Sequence, residues 1–201
     1  MKGQQEVISV VLISGILIGV VGSVYFWGVP LVQKNKDVAL LENTESFIKS
    51  LDNKIKFVAN NGGRDNIRIP ALGIVRFDST SSTIEITVNT EGTIYATEAA
   101  IPLGRNTACA ATEGTFGIND QDTICVRSNK ISDKNFRTIY TLSYVKLNDQ
   151  EVLRSFNIKL TGPNRSGGQD NTIVFENKGN SESLDDQGRR VITTLIDINI
   201  A

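Results

Sequence analysis

VISVVLISGILIGVVGSVYFWGVPLV, the stretch from Val7 to Val32, decides how this chain is built. It contains no charged residue and follows directly on the short polar start Met1-Lys2-Gly3-Gln4-Gln5-Glu6. As a helix rising about 1.5 Å per residue it is roughly 39 Å long. The hydrocarbon of a bilayer is ~30 Å thick, and ~20 apolar residues already cross it. The core helix of a soluble domain has no need of so long an uncharged run. The stretch therefore predicts a single membrane span, or a rod packed into surroundings as apolar as a membrane.

Working outward, the chain has 201 residues, and roughly 165 remain beyond the apolar run, a normal size for one domain. That is enough to bury a core without relying on disulfides. Lys+Arg number 21 against Asp+Glu 22, a net charge of −1, so no basic excess points to nucleic acid. There is no histidine, which excludes catalysis by an imidazole base and histidine-ligated metals. Cys109 and Cys125 are too few for a four-ligand zinc site. Outside the cytoplasm they are expected to pair as a disulfide, the alternative being two buried thiols. Pairing would close a loop of about 16 residues and stabilise by ~3 kcal/mol in the chain-entropy model.

Within the apolar run, Gly15 and Gly19 stand four apart, Ser23 continues their face and Gly22 broadens it. Small residues at this spacing let two helix backbones approach closely, although glycine is also simply common in membrane helices. Tyr25, Phe26 and Trp27 are placed as an interfacial aromatic belt. Pro30 lacks an N–H and is expected to kink or interrupt the helix there. From Gln33 to about Asn60 the pattern becomes amphipathic: Val38, Leu41, Phe47, Ile48, Leu51, Ile55 and Val58 recur at three- and four-residue steps. Lys49, Asp52, Asn53, Lys54 and Lys56 are expected on the solvent side. Asn60-Asn61-Gly62-Gly63 supplies a stop. The expectation is a rod broken near Pro30, its second half packed on the domain that follows.

The apolar run is longer than the ~7–15 residues of a secretory signal and lacks a small-residue cleavage site at its far end. A plain signal anchor is one reading. Lys2-Gly3-Gln4, set directly before the long apolar helix, resembles the class III signal peptide of archaeal type IV pilin-like proteins. The resemblance implies cleavage by a prepilin peptidase between Gly3 and Gln4, leaving the helix on the mature chain. It also implies an assembly platform with an ATPase as partner. Family members often carry a glutamate at the fifth mature position; Glu6 would be the third. Lys2 and the α-amino group precede the helix while Lys34 and Lys36 follow it, so positive charge alone weakly favours a cytoplasmic head. An outside head rests on the tripeptide and the cysteine pair.

Beyond Gly63 the periodicity changes to two. Ile84, Ile86 and Val88 alternate with Glu85, Thr87 and Asn89, and Ile192, Ile196, Ile198 and Ile200 oppose Thr193, Asp197 and Asn199. Further strands are expected near Gly73–Phe77, Thr93–Thr97, Thr123–Arg127, Phe136–Leu147, Glu151–Leu160 and Thr172–Glu176, with a hairpin turn at Asn148-Asp149-Gln150. The fold class expected is α+β: a long N-terminal helix followed by an antiparallel, β-sandwich-like head. Three segments result: 1–32, signal and transmembrane helix; 33–60, amphipathic helix; 61–201, β-rich extracellular head.

No catalytic, cofactor or metal site emerges. Asp120 with Asp122 and Asp185 with Asp186 are close carboxylate pairs, but neither sits in a calcium-type loop, and both are expected to be solvated turns. Gly162, Gly167 and Gly168 precede no Lys-Ser/Thr pair and form no phosphate cradle. No Gly-x-Ser-x-Gly elbow occurs. Asn164-Arg165-Ser166 is an N-glycosylation sequon, a glycan acceptor if the head is exported and otherwise a chance triplet. The expected function is non-enzymatic: a structural subunit of a pilus-like surface filament that self-assembles through its apolar helix. The alternative is a single-pass anchored extracellular binding domain that does not polymerise.

Overall fold

A computed structural model describes residues 2–71, 73–104 and 108–201, with side chains of the first helix described from Ser9 onward. Helix α1 runs without interruption from Lys2 to Asn61, with Pro30 inside it. The interruption expected at Pro30 is therefore not found. The proline's missing donor removes only one backbone bond, and the turns on either side carry the helix across it. The exposed part of α1 from Ser9 is long and apolar enough to cross a membrane.

Glycines at 62 and 63, with φ of 76° and 86°, end the helix; the Gly62 N–H closes the last turn on the Val58 carbonyl at 2.9 Å. Twelve strands follow among the described residues. They are β1 (Arg64–Arg68), β2 (Ile74–Asp78), β3 (Thr83–Thr90), β4 (Ala100–Pro102), β5 (Glu113–Thr115) and β6 (Asp122–Ser132). Then come β7 (Asn135–Tyr144), β8 (Lys146–Asp149), β9 (Arg154–Thr161), β10 (Arg165–Gly167), β11 (Thr172–Leu184) and β12 (Arg190–Ile200). They form two six-stranded sheets, ordered β1-β11-β12-β9-β8-β5 and β10-β2-β3-β7-β6-β4.

Both sheets are mainly antiparallel, but β12 pairs with β9 in parallel over eight residues, and β5 with β8 likewise over three. Alternation along a strand reports which side is buried, not the direction of its neighbour, so these parallel pairs left no trace in the pattern. The run expected as one strand over Phe136–Leu147 is two: β7 lies in one sheet, β8 in the other, and buried Val145 carries the chain between them. The β8–β9 hairpin forms, but its turn lies at 150–153 and not at Asn148-Asp149-Gln150: Asn148 and Asp149 still belong to β8, opposite Ser155 and Arg154. Thr93–Thr97 is not a strand. Thr97 makes one isolated bridge to Ser128, and Tyr95 turns in toward the helix.

One contiguous apolar cluster draws on α1 and both sheets. Leu41, Ile48, Leu51 and Ile55 of the helix join Ile84, Ile86, Val88 and Tyr140 from one sheet and Leu160, Phe175, Ile196 and Ile198 from the other. Each is fully or almost fully buried, and burying a Leu or Ile side chain stabilises by about 1.5–3 kcal/mol. Cys109 and Cys125 are joined as a disulfide that ties the irregular segment after β4 to β6.

Candidate functional site

The feature that separates this chain from a compact domain is the change α1 undergoes along its length. From Val10 to Val32 its large apolar side chains are exposed, Tyr25 at 73% and Phe26 and Trp27 at 82%. No side chain of the head lies within 4 Å of a Cβ built on Gly15, Gly19 or Gly22, and the Ser23 hydroxyl bonds back to the Gly19 carbonyl at 2.8 Å. The small-residue face is thus bare and turns no unsatisfied group outward. Gly3 and Gln4 lie in the helical backbone, and their surroundings fall outside the described residues.

From Ser9 onward, the first buried residue of the helix is Asp37. Its carboxylate, 6% exposed, accepts the N–H groups of Glu91 at 3.0 Å and Gly92 at 2.9 Å, and the Gln33 amide at 3.2 Å. The loop after β3 is held against the helix in this way. One turn further on, the Tyr140 hydroxyl donates to the Leu41 carbonyl at 2.9 Å, and the Tyr95 hydroxyl donates to Glu45 at 2.9 Å. Burial pushes the Tyr95 phenol up to about 12, with neighbouring Glu45 adding to the shift. At the far end, the Asn177 amide caps the Val58 and Ala59 carbonyls at 3.0 and 3.3 Å.

Between these pins lies a polar cluster that the sequence pattern misplaced. Asp52, expected on the solvent side, is 4% exposed, and Asp122, expected in a solvated turn, is 6% exposed. Lys56 contacts both: Asp52 at 2.8 Å, one helical turn back, and Asp122 at the start of β6. The Tyr144 hydroxyl donates to the other oxygen of Asp52 at 3.0 Å. Loss of solvent raises the Asp52 carboxyl to about 6; the Lys56 hydrogen bond opposes that rise, and the nearby Asp122 charge adds to it. The same burial lowers Lys56, but its hydrogen bonds to Asp122 and Asp52 outweigh it and leave the amine raised. Tyr144 is pushed well above its ordinary value by burial and by Asp52.

Asp185 behaves differently from Asp122. Its carboxylate closes its own turn by accepting the N–H groups of Gln187 and Arg189 at 3.0 and 2.8 Å. Those bonds, the Arg189 N–H foremost, hold it below the usual carboxylate range. Asn164 is exposed, and its carbonyl oxygen accepts both the N–H and the hydroxyl of Ser79 at 2.6 and 2.7 Å. Among the described residues no group of three His, Cys, Asp or Glu is placed to hold a metal ion.

The pins make a definite prediction. Asp37→Ala leaves two backbone N–H groups without their acceptor and is expected to cost about 2 kcal/mol. Thermal unfolding of the full chain in detergent measures that loss. Limited proteolysis should show new cutting near Glu91 while the core stays resistant.

Among known proteins, residues 2–152 match a family of unknown function, DUF7289. No curated protein matches the chain, and no solved structure matches it.

Proposed function

Because the chain belongs to the DUF7289 family, whose function is unknown, its role has to be argued from its own architecture, and we propose that it is a structural subunit of a type IV pilus-like surface filament. The observation that carries this reading is the single unbroken helix, bare through the apolar run and pinned to the head from Asp37 onward. A flexible tether would serve an anchored binding domain equally well. A rod held in fixed relation to its head sets the geometry of the next subunit when rods bundle. Before assembly the apolar run lies in the membrane; afterwards it lies among copies of itself, where Gly15, Gly19 and Ser23 permit close approach.

The head is outside in this reading, supported by the Cys109–Cys125 disulfide, a bond rare in the cytoplasm. We read the two sheets as faces of a sandwich around the helix's carboxyl half, supported by the one apolar cluster that unites them. A prepilin peptidase acting after Gly3 and an assembly platform are the partners that the Lys2-Gly3-Gln4 resemblance implies. The alternative, a non-polymerising anchored ectodomain, shares every feature except the use made of the bare face.

The experiment is electron microscopy of cells expressing the chain with a tag on its head, combined with the intact mass of the purified protein. Labelled filaments, and a mass lacking Met1-Lys2-Gly3, are expected. A chain that keeps those three residues, on cells without labelled filaments, would overturn the proposal.

A further inference from the structure

We propose that Lys56 and Asp122 condense to an intramolecular amide, covalently fastening the helix to the head, with Asp52 carrying the protons. An amine and a carboxylate are already in contact there, brought together across 66 residues of sequence. They meet in a site where the two carboxylates are 4% and 6% exposed and the Lys56 side chain is partly buried, 29% exposed. Asp52 is a second carboxylate beside them, and its two oxygens are differently engaged. One accepts the Tyr144 hydroxyl at 3.0 Å, and the other faces the Lys56 ammonium at 2.8 Å.

The step balances without any co-reactant. The Asp52 carboxylate takes one proton from the Lys56 ammonium, freeing the lone pair on Nζ. That nitrogen attacks Cγ of Asp122 and forms the C–N bond, while Asp52 passes its proton to one Asp122 oxygen. A second proton then travels from the nitrogen through Asp52 to the same oxygen, the C–O bond breaks, and one water leaves. Ammonium and carboxylate become a neutral amide, and Asp52 ends as it began. The carboxyl of Asp52, raised to about 6 by burial, exchanges protons near neutral pH far more readily than an ordinary aspartate.

Two physical gains favour the product. A buried ion pair carries a desolvation penalty that its mutual attraction only partly offsets, and an amide carries none of that charge. The amide N–H also replaces the ammonium as donor to Asp52, so this carboxylate keeps two partners after the reaction. The bond would make the joint between rod and head permanent, whatever the rod packs against.

The test uses the full-length chain purified from native membranes in detergent, reduced and denatured. Its intact mass is expected to fall one water below that calculated for the residues the chain retains, with or without Met1-Lys2-Gly3. Trypsin should fail to cut after Lys56 and should yield a branched product joining Ile55–Arg64 to Asn106–Arg127. Full cutting after Lys56, with an unmodified Asn106–Arg127 peptide, would overturn the proposal. Lys56→Arg keeps the ion pairs but cannot form the bond, so its mass should show no loss of water. In Asp52→Asn the cross-linked fraction should drop at least tenfold while circular dichroism and the disulfide stay native. A fully linked Asp52→Asn chain would remove Asp52 from the mechanism.

Discussion

On the filament reading proposed above, a Val20→Arg chain is expected to stay in the membrane fraction yet to be depleted from filaments by up to roughly fiftyfold. Val20 lies midway along the bare helix, 55% exposed, and no part of the head approaches it. In a bilayer one arginine at the centre of a span costs about 2.5–3.5 kcal/mol, and its long stem lets the guanidinium reach toward the headgroups. The remaining apolar residues of the run between Val7 and Val32 are ample to hold the span. A bundle of identical rods offers neither water nor headgroups, and an unpaired buried charge there costs about 3–5 kcal/mol. Only the excess over the bilayer cost counts, at most about 2.5 kcal/mol, which at about 1.4 kcal/mol per tenfold is a loss of incorporation of up to roughly fiftyfold. Counting labelled filaments per cell, with membrane-fraction blots and a Val20→Leu control, measures the difference. Filament numbers equal to those of the natural chain would mean that the bare helix is not their core.

The second large effect concerns the head. Gly162 follows β9 with a φ of 127°, and a Cβ built there stands 2.3 Å from the Ile198 carbonyl oxygen of β12. Both partners are backbone, and Ile198 is held in register with Phe175 of β11, so neither can withdraw without disturbing the sheet. Gly162→Ala thus combines a disfavoured backbone angle with a collision, and about 3–5 kcal/mol of destabilisation is expected. For a chain of this size that is a fall in Tm of roughly 6–20 °C. Gly179 is the internal control. Its φ is 92°, but nothing lies within 4 Å of an added Cβ, so Gly179→Ala should cost only about 1–2 kcal/mol. Equal melting shifts for the two variants would show that the close approach of β9 and β12 carries no weight.

Gly162 also illustrates what a pattern of residues conveys. Read along the chain it belongs to a glycine-rich loop whose only checkable property was its failure to form a phosphate cradle. Its actual use, letting one backbone pass close to another, depends on a strand 36 residues away. β1 and β10 escaped notice for a related reason: Arg64–Arg68 and Arg165–Gly167 are short edge strands with little apolar content, so neither has an alternation to detect. The longer strands were visible because one of their faces is buried, as in β3 with Ile84, Ile86 and Val88.

Local chemistry was enough for the helix and its stop. An uncharged run of that length has only one comfortable environment, the three- and four-residue spacing after Gln33 marks one buried face, and Asn61-Gly62-Gly63 accepts the backbone angles that end it. The cysteine pairing, one of two open readings, also proved to be a disulfide.

The sequence by itself thus determined that this chain carries a long, bare apolar helix ahead of a β-rich domain, because length, missing charge and periodicity are properties of neighbours in the chain. Only the tertiary structure decided where the bare part ends and what grips the rest. Asp37 is secured by backbone donors 54 and 55 residues away, Lys56 by a carboxylate 66 away and Asp52 by a tyrosine 92 away. A charged residue read alone belongs in water; a fold that brings distant donors to it removes the cost of taking it inside.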